Sequence, residues 1–506
     1  MNTDLFLQRH GLDGNPFRGE EARQDAVFDR VEADFRHPDF SKILGDLAHP
    51  ASAVVFGERG SGKTALRMQF ETVLSVSNRD DSGSRTLVVA HDEFNPMLAA
   101  IRQQMDGGVD DAVLESVSVS DHLDAILAKA VPLLVDAIVG GKAEDETVFG
   151  AKAVARRTMR TANLDDRNDL LRLQMLYDRS SSGVIVGDRS KRLRRTLRLR
   201  GRSRVGLASS VTAAMLVFAT AWSVVVLLGR VRADWIGWAP AGLFLFAALI
   251  AAGAGIRSSH RLRRTAAGAR QRLRTLDRGG DGFIASLRQA SPADLGDAIP
   301  PAAPAGEEWR IARMEDLVRI LGILGVQGIV VLIDRVDEPV MVRGDPGRMR
   351  SLVWPLLRNK VLQMPGVGLK FLLPLELREL LNRESSDFFR QARLDKQNLV
   401  EKLTWSGATL FDLCNARMKA CATAEASPGL MKLFHQDVDR REVVDALDQM
   451  QQPRDAFKFL YALVQEHCSN LVELDEDPGI ARPTLDLVRK RHVERREEVL
   501  RGLRAG

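Results

Sequence analysis

The sequence predicts an α/β protein: a parallel sheet sandwiched by helices, interrupted by a helical transmembrane hairpin and completed by a C-terminal helical domain. Three observations predict it. Short apolar runs recur and end in turn or acidic residues, as buried parallel strands do: Ala53–Phe56, Thr86–Ala90, Gly328–Ile333 and Gly366–Leu377. Segments of helical period separate them, among them TALRMQFETVL and EDLVRILGILGVQG. Two long uncharged segments lie between the second run and the third.

The first element is the run AVVF, followed at once by GERGSGKT, Gly57 to Thr64, and then by a helix with Leu66, Phe70 and Leu74 on one face. Strand, Gly-rich turn and helix form the context in which GxxxxGK[ST] signals a phosphate-binding loop. Gly57, Gly60 and Gly62 let the backbone approach oxygen atoms. Main-chain N–H groups of the loop, with Ser61 and Ala65 in the binding set, favour anionic phosphates at the helix N-terminus. Lys63 is expected to reach the β- and γ-phosphates, and Thr64 to ligate Mg²⁺. The expected cofactors are ATP and Mg²⁺.

Such a loop needs an acidic strand. Asp92 and Glu93 follow the run Thr86–Ala90, but GIVVLIDRVDEP, Gly328 to Pro339, matches better, and Asp334 is the expected metal carboxylate. The next position, where a second acid often stands, is Arg335. Asp337 and Glu338 are the nearest substitutes able to orient or activate water. Downstream, Arg390 and Arg393 are candidate arginine fingers, and Arg454, at the start of the helix PRDAFKFLYALVQEH, is a candidate to reach back to the nucleotide. A strand ending in Pro374, with Glu376 next in reach, offers a poor sensor.

The two uncharged segments run from 205 to 228 and from 235 to 256. At 1.5 Å per residue each spans about 33–36 Å, enough to cross a hydrocarbon core of about 30 Å. Nine Lys or Arg lie between Arg189 and Arg204, and seven more Arg follow the second segment, from Arg257 to Arg274. The joining loop carries only Arg230 and Arg232. The charge bias places both flanks and both termini in the cytoplasm, expected here to be that of a bacterial inner membrane. No aromatic interleaving accompanies the arginines, so they are read as membrane flanks rather than a nucleic-acid surface. The first residues, MNTDLFLQRHGLDGNPF, lack a secretory signal pattern. Cys414, Cys421 and Cys468 have no metal-binding or disulfide spacing and are read as buried thiols.

The expected organisation is a lead-in over 1–50, a first nucleotide portion over 51–104 and a helical insertion with the membrane hairpin over 105–280. A Pro/Ala-rich linker over 281–307 precedes the second nucleotide portion over 308–395 and a helical lid over 396–506.

GERGSGKT, the paired spans inside the domain and VVLIDRVDEP together resemble the KAP-type P-loop NTPases, a group related to the AAA+ and STAND ATPases. LDKQNLVEKLTWSGATLFDLCNARM and PRDAFKFL resemble the helical part of this wider class. The resemblance implies a cytoplasmic-facing ATPase anchored to a membrane, acting with an unidentified protein partner in signalling complexes or phage exclusion. The expected function is the coupling of ATP binding or hydrolysis to conformational change or homo-oligomeric assembly. A nucleotide-binding membrane scaffold without turnover is the alternative. Arg335 departs from the paired acids typical of the group, which bears on hydrolysis rather than binding.

Overall fold

The apolar runs form buried strands of one parallel sheet. In this computed structural model they are β1 (Ala53–Gly57), β2 (Arg85–His91), β3 (Val326–Ile333), β4 (Val367–Pro374) and β5 (Asn398–Val400), in the order β2-β3-β4-β1-β5. The structure describes all residues except 1, 20–21, 32–34, 80–84, 142–145, 179–185, 200–203, 231–234, 277–279, 289–295, 297–298, 303–304, 359, 393–397, 424–427, 471–478 and 501–506. Every residue of β1 and β4 is buried, as a sheet covered on both faces requires. β5 was not legible in the sequence. It has three residues, too few for a periodicity, and it puts part of the expected lid region into the sheet beside β1.

The helices used below follow in chain order. α1 (Lys63–Arg79) leaves β1 through the Gly-rich loop. α2 (Asn95–Gln104), α3 (Val119–Val139), α4 (Leu164–Tyr177) and α5 (Val186–Thr196) follow β2, ahead of a long pair, α6 (Arg204–Leu227) and α7 (Trp235–Arg272). α8 (Gly280–Leu287) and α9 (Ala305–Ile323) lead to β3, α10 (Pro346–Leu357) precedes β4, and α11 (Glu376–Asn382) follows it. α12 (Gly407–Ala420), α13 (Arg440–Met450), α14 (Pro453–Asn470) and α15 (Arg482–Leu500) end the chain.

Alternate residues of the strands face different cores. Val54 and Phe56 join a large core with Leu123, Ile126, Leu127 and Leu134 of α3 and Leu170 and Leu173 of α4. Ala53 and Val55 pack with Leu66, Phe70 and Leu74 of α1. The soluble part of the expected insertion therefore shares its core with the sheet. A buried polar tie reinforces this: Arg310 of α9 donates to Asp124 of α3 at 2.8 Å, and the Tyr177 hydroxyl donates to the same carboxylate at 2.8 Å. Burial pushes Asp124 up to about 7, against the pull of Arg310. Part of the expected linker is also structured, since α8 buries Phe283 and Leu287 in the same core.

α6 and α7 pack on each other and leave apolar side chains outside. Val217, Phe218, Leu243, Phe246, Leu249 and Ile250 are exposed, and 11% of the apolar window of each helix is buried. A core helix of the same composition would be mostly buried; these two are long and apolar enough to cross a membrane and are mostly exposed. α7 does not stop where its apolar part ends. It runs unbroken for 38 residues, about 57 Å at 1.5 Å per residue. Residues 231–234 of the joining loop lie outside the described residues.

The basic flanks are partly internal. Arg189 pairs with Asp178 and Asp136. Arg274 grips Asp121 through two 2.7 Å bonds. Lys191, Arg192, Arg195, Arg261, Arg263 and Arg264 remain exposed.

A third core joins the two chain ends. Phe6, Leu7, Leu12 and Phe17 pack with Leu410, Phe459, Leu460 and Leu463 of the C-terminal helices. All three cysteines are free and buried, and burial pushes Cys414 up to about 12.

Candidate functional site

The carboxyl edge of a parallel sheet is where ligands bind in open α/β folds, and a cavity of about 540 Å³ opens there. Its floor is the loop between β1 and α1. Gly60 and Gly62 both have φ of +92°, a conformation that side chains rarely adopt. A Cβ on Gly60 would also fall 3.1 Å from Arg454 Cβ. The loop backbone is thus held open toward the cavity by two residues without side chains. Ser61 is 2% exposed, and its hydroxyl is buried without a hydrogen-bond partner.

Lys63 Nζ donates to the carbonyls of Gly57 and Glu58 at 2.8 and 2.9 Å. Burial depresses the Lys63 pKa, opposed by the charges of Asp334, Asp337, Glu376 and Glu58. Thr64 Oγ1 donates to Asp334 Oδ2 at 3.0 Å, closing a contact between residues 270 apart in sequence. Burial pushes the Asp334 carboxyl up, and the Thr64 hydroxyl, the Arg335 N–H, Arg67 and Lys63 oppose it. The loop thus presents a cation and a hydroxyl, and β3 ends in a carboxylate facing that hydroxyl.

Among the described residues no group of three His, Cys, Asp or Glu could hold a metal ion. Thr64 and Asp334 still fit Mg²⁺, which takes one or two protein oxygens and completes its shell with water and substrate phosphates. The unpartnered Ser61 hydroxyl and the open loop fit a phosphate chain in the same space.

After Asp334 the chain turns back. Arg335 sits at φ +61°, and its Nε donates to Glu338 Oε1 at 2.7 Å. Glu338 is therefore paired with Arg335, the residue that directly follows Asp334. Asp337 lines the cavity and exerts its charge on Lys63. Arg454 and Ala65 also line the cavity. Arg390 does not: its side chain is 77% exposed and pairs with Asp387. Arg393 lies outside the described residues.

The apolar wall opposite the loop was not predicted as part of the site. Phe35 and His37, from the segment before β1, meet Trp405, with Phe35 and Trp405 rings nearly parallel at 6.3 Å and 14°. Trp405 Nε1 donates to the Ser61 carbonyl at 2.8 Å. Pro453 and Phe457 complete this apolar side. Glu58, in the loop, is held by Lys402 and by Gln452 at 2.6 and 2.7 Å. These residues converge from four segments of the chain, of which the one carrying Phe35 and His37 had no sequence signal.

No family model matches the chain, and no curated protein or solved structure matches it. Fold and site define a parallel α/β protein whose sheet edge carries a Gly-rich loop, with two apolar helices long enough to cross a membrane.

Proposed function

We propose that this chain is a membrane-anchored P-loop NTPase whose cleft binds ATP with Mg²⁺. The observation that carries the reading is the 3.0 Å contact of Thr64 with Asp334. It supports the pairing of loop and acidic strand that a metal–triphosphate site needs. Lys63, Ser61 and the N–H groups of the loop would hold the phosphates; Thr64 and Asp334 would hold the metal. Mg²⁺ supplies charge neutralisation on the phosphate oxygens. The flat apolar wall of Phe35, Trp405 and Phe457 suits a base, and Arg454 lies on the side of the loop from which a cation would reach a phosphate.

In this reading α6 and α7 cross the membrane as a hairpin, and the exposed arginines beside them face the cytoplasm. ATP-linked change in the cleft then drives conformational change or assembly of several copies. An arginine such as Arg390, exposed in one copy, is available to a neighbour's site.

The Arg335–Glu338 pair favours a second reading, in which nucleotide is held with little turnover. Calorimetry of ATP binding to the full chain in detergent, with and without Mg²⁺, tests the site. Phosphate release in the same preparation separates the two readings. Absence of Mg²⁺-dependent binding would overturn both.

A further inference from the structure

β2 and β3 run in register up to His91 and Ile333, so Asp92 and Asp334 are the next residues on adjacent chains at the sheet edge. Both side chains are nearly shut off from solvent, 8% and 2% exposed. Arg67, three residues after Thr64 on α1, touches both. Its Nη1 donates to Asp92 Oδ2 at 2.8 Å. Its Nε is 3.8 Å from Asp334 Oδ2 and is buried without a hydrogen-bond partner. Glu71, half-exposed one turn on, is 3.4 Å from the same Nη1. Arg23, from the N-terminal segment, makes a second ion pair with Asp92.

A buried guanidinium pairs with the best-placed carboxylate. Here Asp92 takes Arg67 at hydrogen-bond distance, and Asp334 keeps its oxygen turned to the Thr64 hydroxyl. Without the charge of Asp92, the nearest buried anion is Asp334, and a shift of about one ångström makes an Arg–carboxylate hydrogen bond. A carboxylate so engaged serves a metal poorly.

We propose that Asp92 is a positioning residue: by holding the Arg67 guanidinium, it keeps Asp334 available to Mg²⁺. This rests on the Mg²⁺–nucleotide reading of the cleft and extends it to an acid that lies outside both the loop and β3.

The test is a Mg²⁺ titration of fluorescent ATP-analogue binding to the full chain in detergent, which needs no turnover. Asp92→Asn is expected to raise the half-saturating Mg²⁺ concentration about tenfold, the effect of one uncompensated charge a few ångströms away. Adding Arg67→Met to Asp92→Asn removes the competing cation and is expected to bring the midpoint back within about threefold of wild type. Asp92→Glu keeps the charge and is expected to stay within about twofold. An unshifted midpoint in folded Asp92→Asn, or a double variant that folds but does not recover, overturns the proposal. So does a tenfold shift in Asp92→Glu. Wild type with no Mg²⁺-dependent binding defeats the nucleotide reading and this inference together. A normal wild-type midpoint with any of the other failures defeats this inference alone.

Discussion

Asp334 is buried and Lys63 partly so, and burial acts on them in opposite directions: it lowers the lysine pKa and raises the carboxyl pKa. Each is the other's partial remedy, which ties the electrostatics of the loop to those of β3. Lys63→Ala removes a charge-assisted contact worth about 1.5–3 kcal/mol, so ATP affinity is expected to fall about 10- to 100-fold in a calorimetric titration. The melting temperature without nucleotide should change little by comparison. The two substitute acids are separable at this scale. Asp337→Asn should abolish any phosphate release, whereas Glu338→Gln should leave most of it, because Glu338 is already committed to Arg335. The opposite ranking in a phosphate-release assay would assign the water-activating role to Glu338.

At the scale of elements, β2 and α3 meet through two buried imidazoles. His122 Nε2 faces the Leu352 carbonyl at 2.8 Å, so it donates there, and its Nδ1 accepts from His91 Nε2 at 3.0 Å. His91 Nδ1 is then a buried acceptor with no partner. Burial lowers both pKa values from 6.5, and for His91 the neighbouring His122 and Lys129 lower it further. The unfolded chain takes up protons as pH falls through about 6.5, while the folded pair takes them up only at lower pH, so stability is lost on the acid side. The melting temperature should fall between about pH 6.5 and 5, and by less in a His91→Phe/His122→Met variant. An equal fall in both would remove the imidazoles as the cause. Lys370 is another polar intrusion. It sits at the centre of β4, where burial pushes it down to about 7, and its Nζ donates to the carbonyls of Ile43, Leu44 and Ala51 at 2.7–2.8 Å. It fastens the segment before β1 to the sheet.

At the scale of the whole molecule, the N-terminal segment is a strap. Arg417, 2% exposed, donates to the Pro16 carbonyl at 2.7 Å and pairs with Asp25 at 2.6 Å. Arg23, two residues before Asp25, reaches Asp92 on the sheet side. Phe35 and His37, further along, wall the cavity. Sheet, strap and C-terminal helices therefore close around one cleft. The proposed hairpin orientation is testable because the native thiols are buried. Gly229→Cys should react with a membrane-impermeant maleimide from the side opposite the soluble body, and Arg261→Cys only after the membrane is opened. Labelling of both from the same side would sink the hairpin reading.

Four of the five strands, the Gly-rich loop and the two apolar helices were legible in the sequence because each is a local pattern. AVVF followed by GERGSGKT yields β1, the loop and α1, and the uncharged runs yield α6 and most of α7. The full length of α7 was not legible: its Arg-rich half lacks an apolar signal, and it is held in place by contacts such as Gln104 with the Arg270 carbonyl. Of the two candidate acids, Asp92 and Asp334, the sequence pattern favours Asp334, which ends the longer apolar run. The structure adds that both follow adjacent strands and that Thr64 donates to Asp334 at hydrogen-bond distance.

The sequence by itself determined the α/β class, the Gly-rich loop between strand and helix, and the paired apolar helices, because backbone preference, glycine freedom and hydrophobic period act over a few residues. Only the tertiary structure decided that Arg335 neutralises Glu338, that Arg67 stands between two carboxylates, and that Phe35 and Trp405 share one wall. Two of these join side chains from separate segments. The third, Arg335 with Glu338, depends on a left-handed turn that residue spacing alone does not reveal.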